Sequence, residues 1–123
     1  MFWSKKKKET KTAIQWHSLT DIEQIDQLIK ESKTQSVCIF KHSTRCSLSS
    51  TVLNRLERKW DDKLNEINMY YLDLIAHRDV SNAVVDETSI EHQSPQLILL
   101  KGGKVVYSAS HTAIDAESLL KFV

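Results

Sequence analysis

The sequence predicts an α/β fold in which helices flank a central mixed sheet of four or five strands. Two observations predict it. Segments of strand and helix character alternate along the first two thirds of the chain, which is typical of parallel pairing. In the last third, two apolar runs flank Lys101-Gly102-Gly103-Lys104, a turn sequence that predicts an antiparallel hairpin. A sheet with both arrangements is mixed.

The first predicted strand and helix lie within the first 32 residues. Residues 13–16 alternate weakly between apolar and polar side chains, which favours a short strand. Ser18 stands three residues before Asp21, as in a capping box. Residues 21–32 are predicted to form an amphipathic helix, because apolar residues recur there at helical spacing: Ile22, Ile25, Leu28 and Ile29.

The next strand and helix enclose the most informative segment. Residues 36–41 are predicted to form a strand, since Val37-Cys38-Ile39-Phe40 is continuously apolar and suits a strand covered on both faces. His42-Ser43-Thr44-Arg45 follows as a polar loop. A long helix is predicted over 46–64 from its apolar positions Val52, Leu53, Leu56, Trp60 and Leu64. The thiol of Cys46 is therefore expected at a helix N-terminus.

The remaining elements complete the alternation. Residues 67–75 alternate and contain two tyrosines, which predicts a strand, and residues 79–85 offer a short helix. The hairpin strands are predicted over 96–100 and 105–108. Residues 115–122 close the chain as an amphipathic helix with acidic residues at its start.

The composition is that of one folded domain. The 123 residues carry a formal net charge of +1, so no general field attracts nucleic acid. Lysines cluster at Lys5–Lys8; we expect residues 1–12 to form a solvated, partly disordered basic arm and residues 13–123 to form the domain. We expect neither nucleic acid nor membrane partners, since no apolar run resembles a signal or a span. Two cysteines are too few for a disulfide framework, which favours a cytoplasmic location.

Cys46 is the candidate nucleophile. At a helix N-terminus, free backbone N–H groups and the macrodipole stabilise a thiolate, so we expect a depressed pKa for this thiol. Arg45 and Lys41 would add positive charge, and the hydroxyl of Ser49, one turn into the helix, is placed to donate to the sulfur. With Thr44 of the loop, Arg45 and Ser49 are the candidate thiolate-supporting residues. The spacing is a C-x-x-S version of the C-x-x-C redox motif, with a hydroxyl in place of the second thiol.

Pro95, the one proline of the chain, precedes the strand predicted over 96–100. A thioredoxin-like fold holds a cis proline at this point against the active-site loop, so we hypothesise that the Ser94–Pro95 bond is cis. The Ser94 backbone would then pair with an extended substrate by strand addition. Ser94 and Pro95 are thus candidate substrate-binding residues, although a proline that begins a strand needs no active site to explain it.

Cys38 and the histidines have simpler interpretations. Cys38 lies inside an apolar strand and is expected to be a buried, inert thiol, so an internal disulfide with Cys46 would require the strand to open. His42 is a candidate substrate-binding residue and a candidate base for Cys46, while a solvated loop histidine is the simpler interpretation. No metal site is expected, because three further histidines form no compact cluster in the sequence: His77, His92 and His111.

Two segments carry a resemblance to a known family. They are Thr44-Arg45-Cys46-Ser47-Leu48-Ser49, preceded by His42-Ser43, and Ser94-Pro95-Gln96, followed by Leu97-Ile98-Leu99-Leu100 and the hairpin turn. On these residues the chain resembles the monothiol bacilliredoxins, thioredoxin-fold proteins of the bacillithiol system. The similarity covers nearly the whole chain after the basic arm. The family often has proline directly after the cysteine, where this chain has Ser47, a residue that leaves the first helical turn more flexible.

The resemblance implies a monothiol thiol-disulfide oxidoreductase. Cys46 would attack a mixed disulfide between bacillithiol and a client protein, take up the bacillithiol and free the client thiol; a second bacillithiol would restore Cys46. Bacillithiol would be the cosubstrate with no tightly bound cofactor, bacillithiol-modified client proteins the partners, and a Gram-positive cytoplasm the setting. Composition and spacing do not distinguish one low-molecular-weight thiol from another.

Alternatives remain open from the residues alone. The first is a non-catalytic thioredoxin-like peptide-binding module, whose Ser94–Pro95 groove holds a peptide while Cys46 is incidental. An ordinary thiol pKa of about 8.5 would favour the module, and a value well below it the enzyme. An arsenate-reductase-like or peroxidase-like enzyme fits less well, because the former usually needs several cysteines and the latter a different motif.

Overall fold

The structure, a computed structural model, describes residues 14–123. The predicted α/β, thioredoxin-like architecture is confirmed: a five-stranded mixed sheet lies between helices. The predicted basic arm, residues 1–12, lies outside the described residues. The strands are β1 (Trp16–Ser18), β2 (Val37–His42), β3 (Asn68–Asp73), β4 (Gln96–Lys101) and β5 (Lys104–Ser110); the α-helices are α1 (Glu23–Glu31), α2 (Ser47–Arg58) and α3 (Arg78–Thr88); and 3-10 segments span Asp62–Glu66, His111–Ala113 and Ala116–Phe122.

The sheet has the strand order β1-β3-β2-β4-β5. β3 pairs in parallel with both β1 and β2, whereas β4 pairs antiparallel with β2 and with β5. The hairpin predicted from the glycine pair is therefore confirmed, and it supplies the antiparallel half of the sheet. β2 is the central strand and is buried at all six positions. The apolar pattern predicts this for Val37–Phe40, whereas the burial of Lys41 and His42 is not expected from it.

Two apolar layers cover the two faces of the sheet. Alternate residues of β2 point to opposite layers, because successive side chains of a strand leave on opposite faces. Cys38 and Phe40 pack with α2 and the Ala116–Phe122 segment, through buried side chains that include Val52, Leu56 and Leu119. Val37 and Ile39 pack with α1 and α3, through side chains that include Ile25, Leu28, Val80 and Val84. Position along β2 therefore decides which layer a side chain enters.

The first strand and helix begin later than their patterns predict. β1 covers 16–18 and not 13–16, because its register is set by β3: Trp16 lies opposite Met69. The capping-box expectation for Ser18 is also wrong. The Gln24 side-chain oxygen accepts the backbone N–H groups at positions 20 and 21, at 2.8 and 2.9 Å, while its amide donates to the Ser18 carbonyl. α1 then starts at Glu23.

The long helix predicted over 46–64 is two elements. α2 ends at Arg58, and a 3-10 turn follows whose first N–H groups are capped by the Asp61 carboxylate, which accepts from Lys63 N at 2.9 Å. Trp60 and Leu64 are nevertheless buried, so the apolar spacing predicts their burial correctly although the helix ends before them. The closing helix is likewise a 3-10 segment, over Ala116–Phe122.

Candidate active site around Cys46

Cys46 occupies the N-cap position of α2. Its backbone is extended, with φ −107° and ψ 118°, and its carbonyl accepts the first helical bond, from Ser50 N at 3.2 Å. A turn brings the chain from β2 to this point, in which Cys46 N donates to the Ser43 carbonyl at 3.2 Å. The N–H groups of the first turn of α2 have no intrahelical acceptor, so they present partial positive charge beside the N-cap residue. The Cys46 side chain is partly exposed.

A buried histidine-serine pair lies beneath this turn. His42 Nδ1 is 2.7 Å from Ser49 Oγ, and Ser49 Oγ also accepts the backbone N–H of Ser43 at 3.2 Å. Ser49 is completely buried and His42 is only 4% exposed. The Ser49 hydroxyl thus bonds both the His42 ring and the backbone of the turn, and it donates to Nδ1 in the tautomer that carries its proton on Nε2. Within residues 14–123, the hydrogen bonds of Ser49 Oγ are those with His42 Nδ1 and Ser43 N, and the expected bond to the Cys46 sulfur is not among them.

His42 is the last residue of β2 and not a loop residue. Its ring lies between those of Phe40 and Tyr71, with centroids 6.1 and 5.5 Å away. Burial lowers the pKa of His42, and the charge of Asp73, opposite it in the β2–β3 register, opposes that shift. A neutral imidazole that accepts at Nδ1 from Ser49 fits this setting. The surface position expected of a substrate-binding His42 is not observed, and the side chain supports the loop from below.

The other candidate thiolate-supporting residues flank Cys46 at the surface. Thr44 and Arg45 are exposed, and the backbone N–H of Arg45 donates to Ser43 Oγ at 3.3 Å. Lys41 does not join them. Its side chain is buried in the opposite layer, with Nζ 3.3 Å from the Ser81 carbonyl, so its expected contribution beside the thiol is wrong.

The Ser94–Pro95 bond is cis, as hypothesised. β2 and β4 are antiparallel, so the loop that follows β2 and the residues that precede β4 meet at one edge of the sheet. Cys46 and Ser94–Pro95 therefore lie at the same edge of the sheet. The Pro95 carbonyl accepts from His111 N at 3.0 Å, and the buried Ser94 Oγ has no hydrogen-bond partner within residues 14–123.

Cys38 lies at the centre of β2, opposite Leu99 of β4, and is completely buried. Burial raises the pKa of its thiol strongly, and a backbone contact with Ile98 only partly offsets this. Both cysteines are free. The thiol of Cys38 therefore stays protonated and enclosed, as expected of an inert buried cysteine.

One surface feature escaped the sequence interpretation. Leu48 is 37% exposed and lies two residues after Cys46, in the first turn of α2 and four residues before the buried Val52. Because Leu48 continues the spacing of the buried side chains Val52 and Leu56, no signal in the sequence marks it as part of the site surface. Elsewhere in the part of the chain that the structure describes, no group of three or more metal-binding side chains occurs and no helix is long and apolar enough to cross a bilayer.

Comparison with known proteins identifies the family of this chain. The family model described as monothiol bacilliredoxin BrxC matches residues 17–119. The chain belongs to the monothiol bacilliredoxin family. Family and fold together assign to this bacilliredoxin the chemistry of a thiol-disulfide oxidoreductase, with thiol-modified proteins as the general class of partner.

Solved structures agree with the fold of a bacilliredoxin. A protein described as a candidate oxidoreductase with a thioredoxin fold is 30% identical, with a TM-score of 0.72 over 86% of this chain and 91% of that one. Thioredoxin from Malassezia sympodialis is 16% identical, with a TM-score of 0.63 over 85% and 84%. Mitochondrial thioredoxin 3 from Saccharomyces cerevisiae is 17% identical, with a TM-score of 0.64 over 86% and 91%. The two thioredoxins bear on the fold alone.

Proposed function

We propose that this bacilliredoxin removes bacillithiol from mixed disulfides on client proteins, with Cys46 as its single nucleophile. The observation that carries the proposal is the contrast between its thiols. Cys46 is partly exposed at the N-cap of α2, Cys38 is sealed inside β2, and the position three residues after Cys46 holds the hydroxyl of Ser49. One reachable thiol without a resolving partner suits exchange through a mixed disulfide.

The reaction is two thiol-disulfide exchanges. The Cys46 thiolate attacks the bacillithiol sulfur of the client mixed disulfide; a new S–S bond forms on Cys46, the old bond breaks, and the client leaves as a thiolate that takes up a proton. A second bacillithiol thiolate then attacks the bacillithiol sulfur on Cys46. This step releases the bacillithiol disulfide and returns Cys46 as a thiolate. Each step exchanges one S–S bond for another: the free bacillithiol is oxidised, the client cysteine is reduced, and the bacillithiol that the client carried leaves as half of the bacillithiol disulfide.

Surrounding groups support this chemistry in distinct ways. The free N–H groups at the start of α2 present partial positive charge beside Cys46, and the exposed Thr44 and Arg45 precede it in the turn. The pair of His42 and Ser49 holds the turn that carries the thiol. The backbone of Ser94, before the cis Pro95, is available to pair with an extended client segment.

The setting follows from the same proposal. Bacillithiol acts as a cosubstrate with no tightly bound cofactor, and the partners are bacillithiol-modified proteins and not nucleic acid or membranes. A cytoplasmic location suits the chemistry, because thiols are kept reduced there.

Intact-mass measurement tests the proposal. The reduced protein is incubated with a peptide that carries bacillithiol on its cysteine, in parallel with the variants Cys46→Ser and Cys38→Ser. We expect one bacillithiol adduct on the wild type and on Cys38→Ser, removed by fresh bacillithiol, and none on Cys46→Ser. Cys38→Ser should lose about 1–3 kcal/mol of unfolding free energy, because it buries an extra polar group in the sheet.

Two outcomes would overturn it. An adduct on Cys46→Ser would assign the exchange to another thiol. A wild type that forms no adduct, or that forms an internal disulfide between Cys38 and Cys46, would exclude monothiol exchange and leave a peptide-binding module as the better description.

A further inference from the structure

Lys41 is a buried cation that the exchange reaction does not use. It lies in β2 with its side chain in the layer of α1 and α3, completely shielded from solvent. Its Nζ is 3.3 Å from the Ser81 carbonyl of α3 and 3.3 Å from His92 Nδ1. Both of these partners are uncharged when His92 is neutral.

Such a lysine is costly for the fold. Moving an ammonium out of water without an anionic partner carries a penalty of several kcal/mol, and an apolar side chain of similar length would avoid it. Burial lowers the pKa of Lys41 to about 8, because desolvation disfavours the charged ammonium. A role in core packing alone would favour methionine or leucine at this position.

His92 belongs to the loop that leads to the substrate side of the site. Residues 89–95 connect α3 to β4, contain no helix or strand, and end with the cis Ser94–Pro95 bond. The His92 ring is held in its neutral form, because burial and the charges of Lys41 and Arg78 lower its pKa. Neutral His92 can accept at Nδ1, so the Lys41 ammonium donates to the loop.

A second side chain from the sheet holds the same loop. Gln96 lies opposite Lys41 in the β2–β4 register, so the two side chains leave the sheet on the same face as neighbours. Its amide nitrogen donates to the Glu91 carbonyl at 2.9 Å. Adjacent positions of β2 and β4 thus hold consecutive loop residues, Glu91 and His92, from the inside of the molecule.

We propose that Lys41 is a positioning residue: through His92 it holds the loop over 89–95 so that the Ser94 backbone is aligned for an extended disulfide substrate. This inference rests on the proposed function, in which Ser94 pairs with the client. Lys41 touches neither Cys46 nor the substrate, and its effect on exchange is transmitted by the loop alone.

Three measurements on Lys41→Met test the inference. Met preserves the length of the side chain and removes the ammonium. We expect amide hydrogen exchange at residues 90–94 to become about ten-fold faster, because the loop loses an internal tether. The KM for a bacillithiol-modified peptide should rise about ten-fold with kcat changed less than about two-fold, since alignment and not chemistry is affected. The rate of Cys46 alkylation by iodoacetamide, which is too small to need the loop, should equal that of the wild type.

Matched variants separate positioning from general damage. His92→Leu removes the acceptor from a residue on the protein surface and should reproduce the effects of Lys41→Met, so the test stands even if Lys41→Met does not fold. His92→Asn keeps an acceptor near the Nδ1 position and should restore both the loop protection and the KM. Lys104→Met removes an exposed lysine from β5 and should behave as the wild type in all three measurements.

The outcomes that overturn the inference are specific. Unchanged amide hydrogen exchange at residues 90–94 and an unchanged KM in Lys41→Met and His92→Leu would show that the contact between Lys41 and His92 does not position the loop. A slower alkylation of Cys46 would show that Lys41 acts on the thiol and not on the loop. A wild type that transfers no bacillithiol would overturn the proposed function instead, and hydrogen exchange would still decide whether Lys41 holds the loop.

Discussion

Ser49 stands where a dithiol enzyme with the C-x-x-C spacing would carry its second thiol. The structure shows what this hydroxyl does instead: it bridges His42 Nδ1 and the backbone of Ser43 below the Cys46 turn. A proton acceptor is therefore already present at the position of a resolving group. The difference between a one-cysteine and a two-cysteine mechanism is reduced here to one atom, oxygen or sulfur.

Ser49→Cys should convert the exchange to an internal one. The new thiol lies beside the His42 imidazole, which can take its proton, and it can then attack the mixed disulfide on Cys46. Mass spectrometry after reaction with a bacillithiol-modified peptide should show an internal disulfide in place of the adduct. Ser50→Cys, one residue along on the exposed side of α2, is the control and should keep the adduct. A persistent adduct on Ser49→Cys would contradict the geometry.

His42 should make the stability of the fold depend on pH. Its pKa is lowered in the folded protein, so the unfolded chain takes up a proton at about pH 6.5 that the folded protein binds only at lower pH. Unfolding free energy should therefore fall as the pH drops through and below about 6.5. Urea unfolding of His42→Asn should show a shallower decline. His92 shifts in the same direction, so His92→Asn serves as the comparison, and equal slopes in His42→Asn and the wild type would contradict the assignment.

Among single residues, the sequence located the two cysteines better than the histidine. Cys46 was predicted at a helix N-terminus from the apolar stripe that follows it, and Cys38 in the core from the apolar run around it; both positions are observed. His42 was predicted in the loop because its polarity breaks that run. The strand continues through it because β3 offers a partner, Asp73, which no local pattern could reveal.

At the scale of elements, apolar spacing predicted burial more faithfully than it predicted helix ends. α2 stops at Arg58 although Trp60 and Leu64 continue the same stripe into the core. The 3-10 turn that replaces the last part of the predicted helix buries Leu64 equally well. Its start is fixed by Asp61, whose carboxylate accepts the backbone N–H of Lys63. The range of β1 differs from the predicted one for a similar reason, since β1 pairs with β3 and the residues that set this pairing lie more than fifty positions away in the chain.

The turn of the β4–β5 hairpin gives a prediction at this scale. Gly102 has φ +67°, and a Cβ there would meet no atom within 4 Å, so backbone conformation alone disfavours a side chain. Gly102→Ala should lose about 1–2 kcal/mol of unfolding free energy, because the left-handed region is strained for alanine. Gly102→Asn, which tolerates that region better, should lose less. Equal losses in urea unfolding would mean that contacts, and not φ, decide the cost.

At the scale of the molecule, the directions of β2 and β4 decide where the residues of the site lie. Cys46 follows β2 and Ser94 precedes β4, and they share an edge of the sheet because those two strands run in opposite directions. The sequence predicted the antiparallel hairpin of β4 and β5 but contained no local signal for the pairing of β4 with β2. That pairing is seen only in the strand order of the sheet, in which β2 and β4 are neighbours, and it is what puts the thiol and the proline at the same edge.

The full burial of β2 also determines where the chain tolerates an inserted residue. A strand enclosed on both faces has a register that cannot slip, because a shift by one residue exchanges the two layers. One residue inserted between Ile39 and Phe40 would reverse the faces of the residues on one side of the insertion: either Cys38 would turn towards α1 and α3, or the Lys41 ammonium would turn towards α2. An insertion at Thr44 would leave both layers intact. Between β2 and α2, an insertion is therefore tolerated only at the few exposed residues beside Cys46, where it changes the surface next to the thiol and leaves the two layers in place.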